Sequence, residues 1–317
     1  MTDIPHRARG ACLGALVADA ATMGFHWLYD QERIASLAGA APEFRAPNAA
    51  DYQGPDGKGL GYFAHGGKRA GELSQYGAQM TAMATALSRA GGYDAEAYAA
   101  AFRDWFGYGG RWVGYIDRPT RATLDEMVAA AADEQPTTQC GADDAQLPAV
   151  SKLPPLVARH HGEDELMAYV ESAVRVTNNR DDSVAWGYAV AAMIAAAISG
   201  ASPEDAVAAA RGDNAKINDQ IEAALALRDK TSEEAATSFA LHCQLEVAFP
   251  VTVHLIATAK SYTEAVRANI RTGGDNCGRS IPLGAVLGAC FAGDASRDIP
   301  ADWLARVDVP GEIAALI

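Results

Sequence analysis

Asp19 stands inside an apolar, helix-forming stretch, and His26, Trp27, Tyr29 and Asp30 follow it closely. A second concentration is the turn Gly273–Gly274–Asp275–Asn276–Cys277–Gly278–Arg279–Ser280, which joins two apolar segments. Its amides lead into a helix N-terminus, an arrangement that attracts anions. The same residues also read as a glycine C-cap followed by an Asp or Asn N-cap. A cysteine there is expected to ionise readily, with Arg279 adding positive potential to Cys277. Asp143–Asp144 and Asp181–Asp182 are paired acids. Such pairs bind divalent cations or split their pKa values for acid–base work. Asp182 serves equally as the N-cap of the helix that follows it.

The elements that must position these groups are helices. Alanine recurs at helical spacing and predicts helices over residues 8–23, 72–90, 95–106, 121–132, 149–161, 164–176, 183–199, 203–211, 214–226, 232–246, 247–259, 262–271 and 279–293. Start signals support several of them: Asp94 before an alanine run, Ser202–Pro203, and acids after Thr231. Gly10, Gly14 and Ala18 lie four apart in the first helix, as do Gly284 and Gly288 in the last long one, so both are expected at the centre. Residues 41–71, rich in Gly, Pro, Asn and Asp, form a long loop expected to act as a lid, with ordinary surface disorder as the alternative.

Composition narrows the classes. Forty acids against 26 bases give a net charge of −14, which disfavours a nucleic-acid or anionic-membrane surface. Apolar runs are too short to span a bilayer, and no secretory signal is visible. Five scattered cysteines without a CxxC pair argue against a zinc ribbon or a disulfide framework. A cytoplasmic, helix-rich protein is expected.

The stretch Gly10–Ala11–Cys12–Leu13–Gly14–Ala15–Leu16–Val17–Ala18–Asp19–Ala20 resembles the first motif of the ADP-ribosylglycohydrolase family. So do Gly273–Gly274–Asp275 ahead of a Gly/Ala-rich helix and the Gln79–Met80 helix between them. The resemblance extends over nearly the whole chain. It implies an all-α, many-helix single domain over residues 1–317 with a central active-site cleft. That family's dinuclear magnesium site uses a Thr-Asp-Asp-Thr box, matched here by Gln75–Tyr76–Gly77–Ala78. Its closing Gly-Gly-Asp-Thr-Asp-Thr motif reads Gly273–Gly274–Asp275–Asn276–Cys277–Gly278, and its first motif usually ends in a glutamate where this chain has His26. Magnesium demands octahedral oxygen ligation, so neither a metal nor another cofactor is expected. His26–Trp27–Leu28–Tyr29–Asp30, Tyr62 and His65–Gly66–Gly67–Lys68 resemble the J-crystallin and selenoprotein J-like branch, which brings no established substrate.

Around the place where the relatives hold their metals, the resemblance gathers His26, Tyr76, Asp275 and Cys277. One reading makes Cys277 a nucleophile and His26 its base, with Asp19 or Asp275 orienting the imidazole. Another pairs Asp275 with Asp181 or Asp182 across a glycosidic bond. Substrate contacts are expected from Tyr76, Tyr115, Asp117, Asp143, Asp144, Asp181, Asp182 and Arg279. The expected activity is metal-independent hydrolysis of an N- or O-glycosidic bond in an ADP-ribosyl-like or small sugar conjugate, by a monomer or homodimer. The alternative is a non-enzymatic crystallin-like or ligand-binding protein with a degenerate site.

Overall fold

A computed structural model describes residues 4–316. Helices follow one another as α1 (Ile4–Thr22), α2 (Gln31–Ala38), α3 (Gln75–Ala90), α4 (Ala95–Phe106), α5 (Arg118–Ala132), α6 (Pro148–Ser151), α7 (Leu153–His160), α8 (Leu166–Thr177) and α9 (Asp181–Ile198). The second half continues with α10 (Pro203–Ala209), α11 (Ala215–Ala226), α12 (Ser232–Phe239), α13 (Leu245–Ala257), α14 (Tyr262–Thr272), α15 (Asn276–Cys290), α16 (Ala301–Leu304) and α17 (Gly311–Leu316). Among the described residues extended pairing is limited to isolated bridges, including Leu28 with Gly61. The all-α expectation holds. No described helix is long and apolar enough to cross a membrane.

α1 and α15 form the centre, both buried along nearly their whole packed length. The glycine stripes explain how. A Cβ on Gly14 would lie 2.1 Å from the Gly284 carbonyl oxygen, and one on Gly10 would lie 2.3 Å from that of Gly288. Backbone therefore rests on backbone, and the remaining helices wrap this pair.

Local chemistry accounts for most boundaries. Asp94, Ser202 and Thr231 cap their helices through the side chain, and Thr231 with Glu234 completes a capping box. The helix expected over 149–161 breaks at Lys152, where Pro154 and Pro155 cannot supply amide hydrogens to the preceding turn. The one expected over 232–246 ends at Phe239, and Ala240 turns left-handed at φ +82°. α2, capped by Asp30, is an element that the helical spacing did not reveal.

The loop over 41–71 is not a featureless excursion. It contains a 3-10 turn at Ala49–Tyr52 and lies along residues 26–29. The Tyr62 amide donates to the Trp27 carbonyl (3.0 Å), the Tyr29 amide to that of Leu60 (3.0 Å), and the Tyr52 hydroxyl to that of His26 (2.6 Å).

Candidate functional site

Four buried groups from four segments meet where α1 runs out and α15 begins. After α1 a short 3-10 turn, Met23–Phe25, releases the chain at His26 and drives Trp27 to φ +61°, a left-handed conformation that is rare for a large aromatic residue. Asp275 is the N-cap of α15, and its Oδ1 accepts from the Gly278 amide at 3.0 Å. The same oxygen accepts from His26 Nε2 at 3.0 Å. Oδ2 accepts from the Tyr76 hydroxyl, on the first turn of α3, at 2.8 Å. His65, from the loop, lies with Nε2 2.6 Å from His26 Nδ1. His26 and Asp275 are wholly excluded from solvent, and Tyr76 and His65 nearly so.

Electrostatics assign the charges. Burial alone would raise the Asp275 carboxyl. The hydrogen bond and charge of His26, joined by Tyr76 and Cys243, outweigh it and hold the group at about 2. Burial, reinforced by His26 and Lys68, depresses His65 to about 2, so this imidazole is neutral. An ionised Asp275 only accepts, so the proton between it and His26 resides on His26 Nε2.

Above these groups the rings of Trp27, Tyr62 and Tyr115 form a triangle with centroids 5.2–5.8 Å apart. Tyr115 packs edge-on against both of the other rings. A shallow surface depression is lined by Tyr29, Asp30 and Gly59–Gly61. This loop and these rings cover the buried polar groups.

Seven buried side-chain polar atoms have no hydrogen-bond partner among the described residues, and five belong to Trp27, His65, Asn276 and Arg279 around this site. Such atoms cost on the order of 1–3 kcal/mol each when left unsatisfied. Five of the seven thus gather where α1 ends and α15 begins.

Several expectations need correction. Cys277 is not poised as a nucleophile: burial, and then the charge of Asp19, push its thiol well above the ordinary value. Its Sγ faces Thr22 Oγ1 (3.5 Å) and the Asp19 carbonyl (3.9 Å), while both ring nitrogens of His26 are already engaged. Nor does Asp19 orient the imidazole. It accepts from the Ser74 amide at 2.8 Å and from the Ser74 hydroxyl, tying the start of α3 to α1. Burial raises this carboxyl to about 7. Asp181 and Asp182 pair with Arg175 and Arg180 on the surface, so neither forms a carboxylate couple with the sealed Asp275.

Among the expected substrate contacts, Tyr76 is committed to Asp275 and is buried. Asp117 caps α5 and is locked to Gln75 in a two-way exchange of hydrogen bonds. Asp144 is buried against Gln146 and reached by Arg118 at 3.3 Å, while Asp143 is exposed. Arg279 is fully buried. It donates to Asn269 Oδ1 (3.0 Å) and to the Gly273 carbonyl (2.5 Å), with Nη1 unpartnered. Burial lowers its pKa to about 10.

Two site residues escaped the sequence reading. His65 stood in a noted motif without a chemical role. Cys243 lay inside an expected helix, yet the turn after Ala240 brings its thiol beside Asp275, and burial raises its pKa.

The donor set does not fit two magnesium ions. Both Asp275 oxygens are taken by proton donors, and positions 75 and 76 offer an amide and a phenol committed to other partners. Among the described residues no group of three or more His, Cys, Asp and Glu side chains is placed to hold a metal. Magnesium is bound chiefly through carboxylates and water, and neither position 75 nor position 76 supplies a carboxylate.

The ADP-ribosylglycohydrolase family model matches residues 1–317. Crystallin J1A of Tripedalia cystophora is 30% identical, with 97% of this chain and 94% of the relative covered. Crystallin J1B of the same organism is 26% identical, with 96% and 92% covered. A solved structure described as an ADP-ribosylglycohydrolase-related protein complex has the same fold, with a TM-score of 0.70 at 18% identity, covering 100% of this chain and 97% of that one.

Proposed function

Since the chain belongs to the ADP-ribosylglycohydrolase family, we propose that it hydrolyses an N- or O-glycosidic bond in an ADP-ribosyl-like or small sugar conjugate, without the family's two magnesium ions. The observation that carries this reading is the buried Asp275–His26 pair, backed by Tyr76 and ringed by unpartnered polar atoms. A carboxylate sealed beside an imidazole fixes its tautomer and stabilises the imidazolium formed when a proton arrives. The family's metal charge is thereby replaced by a movable proton. Trp27, Tyr62 and Tyr115 offer ring faces on which a sugar or base can stack.

Turnover of a panel of ADP-ribosyl and simple glycosyl conjugates, measured in EDTA, tests the proposal. Cleavage should persist in chelator and fall about 10²–10⁴-fold in His26→Gln. A strict requirement for added magnesium would overturn the metal-free mechanism. The likeness to the two crystallins and the exclusion of His26 and Asp275 from solvent favour a second reading, a non-enzymatic protein. Absence of cleavage across the panel would favour that one.

A further inference from the structure

α5 buries one side and leaves another open. Thr120, Thr123 and Met127 are buried. Arg121, Leu124, Asp125 and Val128, at the i, i+3, i+4, i+7 spacing of one helical stripe, instead line a groove. The last turn of α4 adds Arg103 and Phe106 to it, and the connection between the two helices adds Tyr108 and Ile116. The groove encloses about 620 Å³, a size typical of small-molecule sites. Phe106, Ile116 and Leu124 pack on the core and give it an apolar floor. Tyr108 and Val128 are exposed beside them, Tyr108 on a turn whose Gly109 takes φ +72°. Apolar groups held out in water around a concave surface mark a place of contact.

Its charge runs against that of the chain. The sequence has 40 acids to 26 bases, yet two arginines and one aspartate line this groove. Nearby carboxylates are engaged elsewhere, Asp104 by Arg89 and Glu312 by Arg111, and among the described residues neither Arg103 nor Arg121 has an ion-pair partner. Arg121 is nonetheless held in place. It donates to the Ile116 carbonyl, and its Cζ lies 5.8 Å from the centre of the Tyr115 ring. A guanidinium fixed beside an apolar floor presents its remaining N–H groups to a planar carboxylate.

We propose that this groove binds a small amphipathic monoanion, a free carboxylate with an alkyl or aryl body. The body lies on Phe106, Ile116 and Leu124, and Arg103 and Arg121 hold the head. A second copy docked symmetrically would set these arginines against their own counterparts, whereas a free carboxylate neutralises them. No residue of the Asp275 site lines the groove, so binding here is separate from glycoside cleavage.

Calorimetric titration of decanoate into the full chain at pH 8, below its micelle threshold, should show one saturable site. Decanol, equal in length and uncharged, should bind about tenfold more weakly or worse. Arg103→Gln should weaken decanoate by about tenfold. Asp125→Asn, which removes the one acid, should tighten it by about threefold. Val128→Asp should weaken it as well. All three positions are exposed, so the melting temperature should stay with the parent. Absence of saturable binding, equal affinity for decanol, or an unchanged affinity in Arg103→Gln would each overturn the assignment. So would a dimer in sedimentation that Val128→Asp dissociates and decanoate leaves intact, because the groove would then be an interface between copies.

Discussion

Asp275 and Cys277 are two residues apart on one helical turn, yet they meet opposite environments. Asp275 points toward α3 and the 26–29 segment, where two proton donors and the Gly278 amide stabilise its charge. Cys277 points into the seam with α1, where burial and the charge of Asp19 oppose a thiolate more strongly than the Thr22 hydroxyl, which donates to its Sγ, can favour one. The helix N-terminus favours negative charge by about 1 kcal/mol at most positions. Complete burial of a thiol opposes ionisation more strongly. Labelling with a thiol reagent at pH 8 should therefore leave Cys277 and Cys12 unmodified in the native protein. Cys243, partly exposed, should react faster than either. Peptide mapping that finds Cys277 labelled ahead of Cys243 would contradict this account of the turn.

At the scale of elements, the seam between α1 and α15 decides where every polar group of the site can stand, because Asp19, His26 and Asp275 all hang from these two helices or their ends. Gly14→Ala would push a methyl into the Gly284 carbonyl at 2.1 Å, against backbone that cannot give way without separating the helices. Alanine gains about 1 kcal/mol of helix propensity, but overpacking costs about 1–3 kcal/mol or more. Urea unfolding should show net destabilisation, whereas Gly212→Ala, with open space around it, should not. Equal midpoints for the two variants would mean the seam is looser than described. This seam was readable in advance, because small residues four apart are a local pattern with one packing consequence. Caps such as Asp94 and Thr231 were readable for the same reason. His65 and Cys243 were not assigned, since each reaches Asp275 or its partner by a tertiary closure. The His65 loop is pinned by backbone bonds that any residue could make. The break after Phe239 carries no Gly or Pro to announce it.

For the whole molecule, the buried ionisable groups set how stability follows pH, and two of them oppose each other. Asp19 is raised from 3.8 to about 7, so between these values the folded chain holds a proton that the unfolded chain has released. Stability therefore falls as pH rises through that window. His65 is lowered from 6.5 to about 2, so below 6.5 the unfolded chain binds a proton that the folded chain refuses. Its contribution rises with pH over the same range. Each slope is about 1.4 kcal/mol per pH unit, and from pH 4 to 6.5 they cancel. Asp275, lowered from 3.8 to about 2, adds stability that is present above 3.8 and lost as pH falls through about 2. Urea midpoints of the parent protein should thus form a plateau from pH 4 to 6.5 and drop on the acid side. Removing one member of the pair unmasks the other. Asp19→Asn should turn the plateau into a rise with pH, and His65→Gln should turn it into a fall. The comparison between variants is the decisive part, because the many solvated acids behind the −14 net charge contribute equally to all three proteins. Parallel pH profiles for parent and both variants would show that neither group is held in the protonation state that its burial and neighbours require.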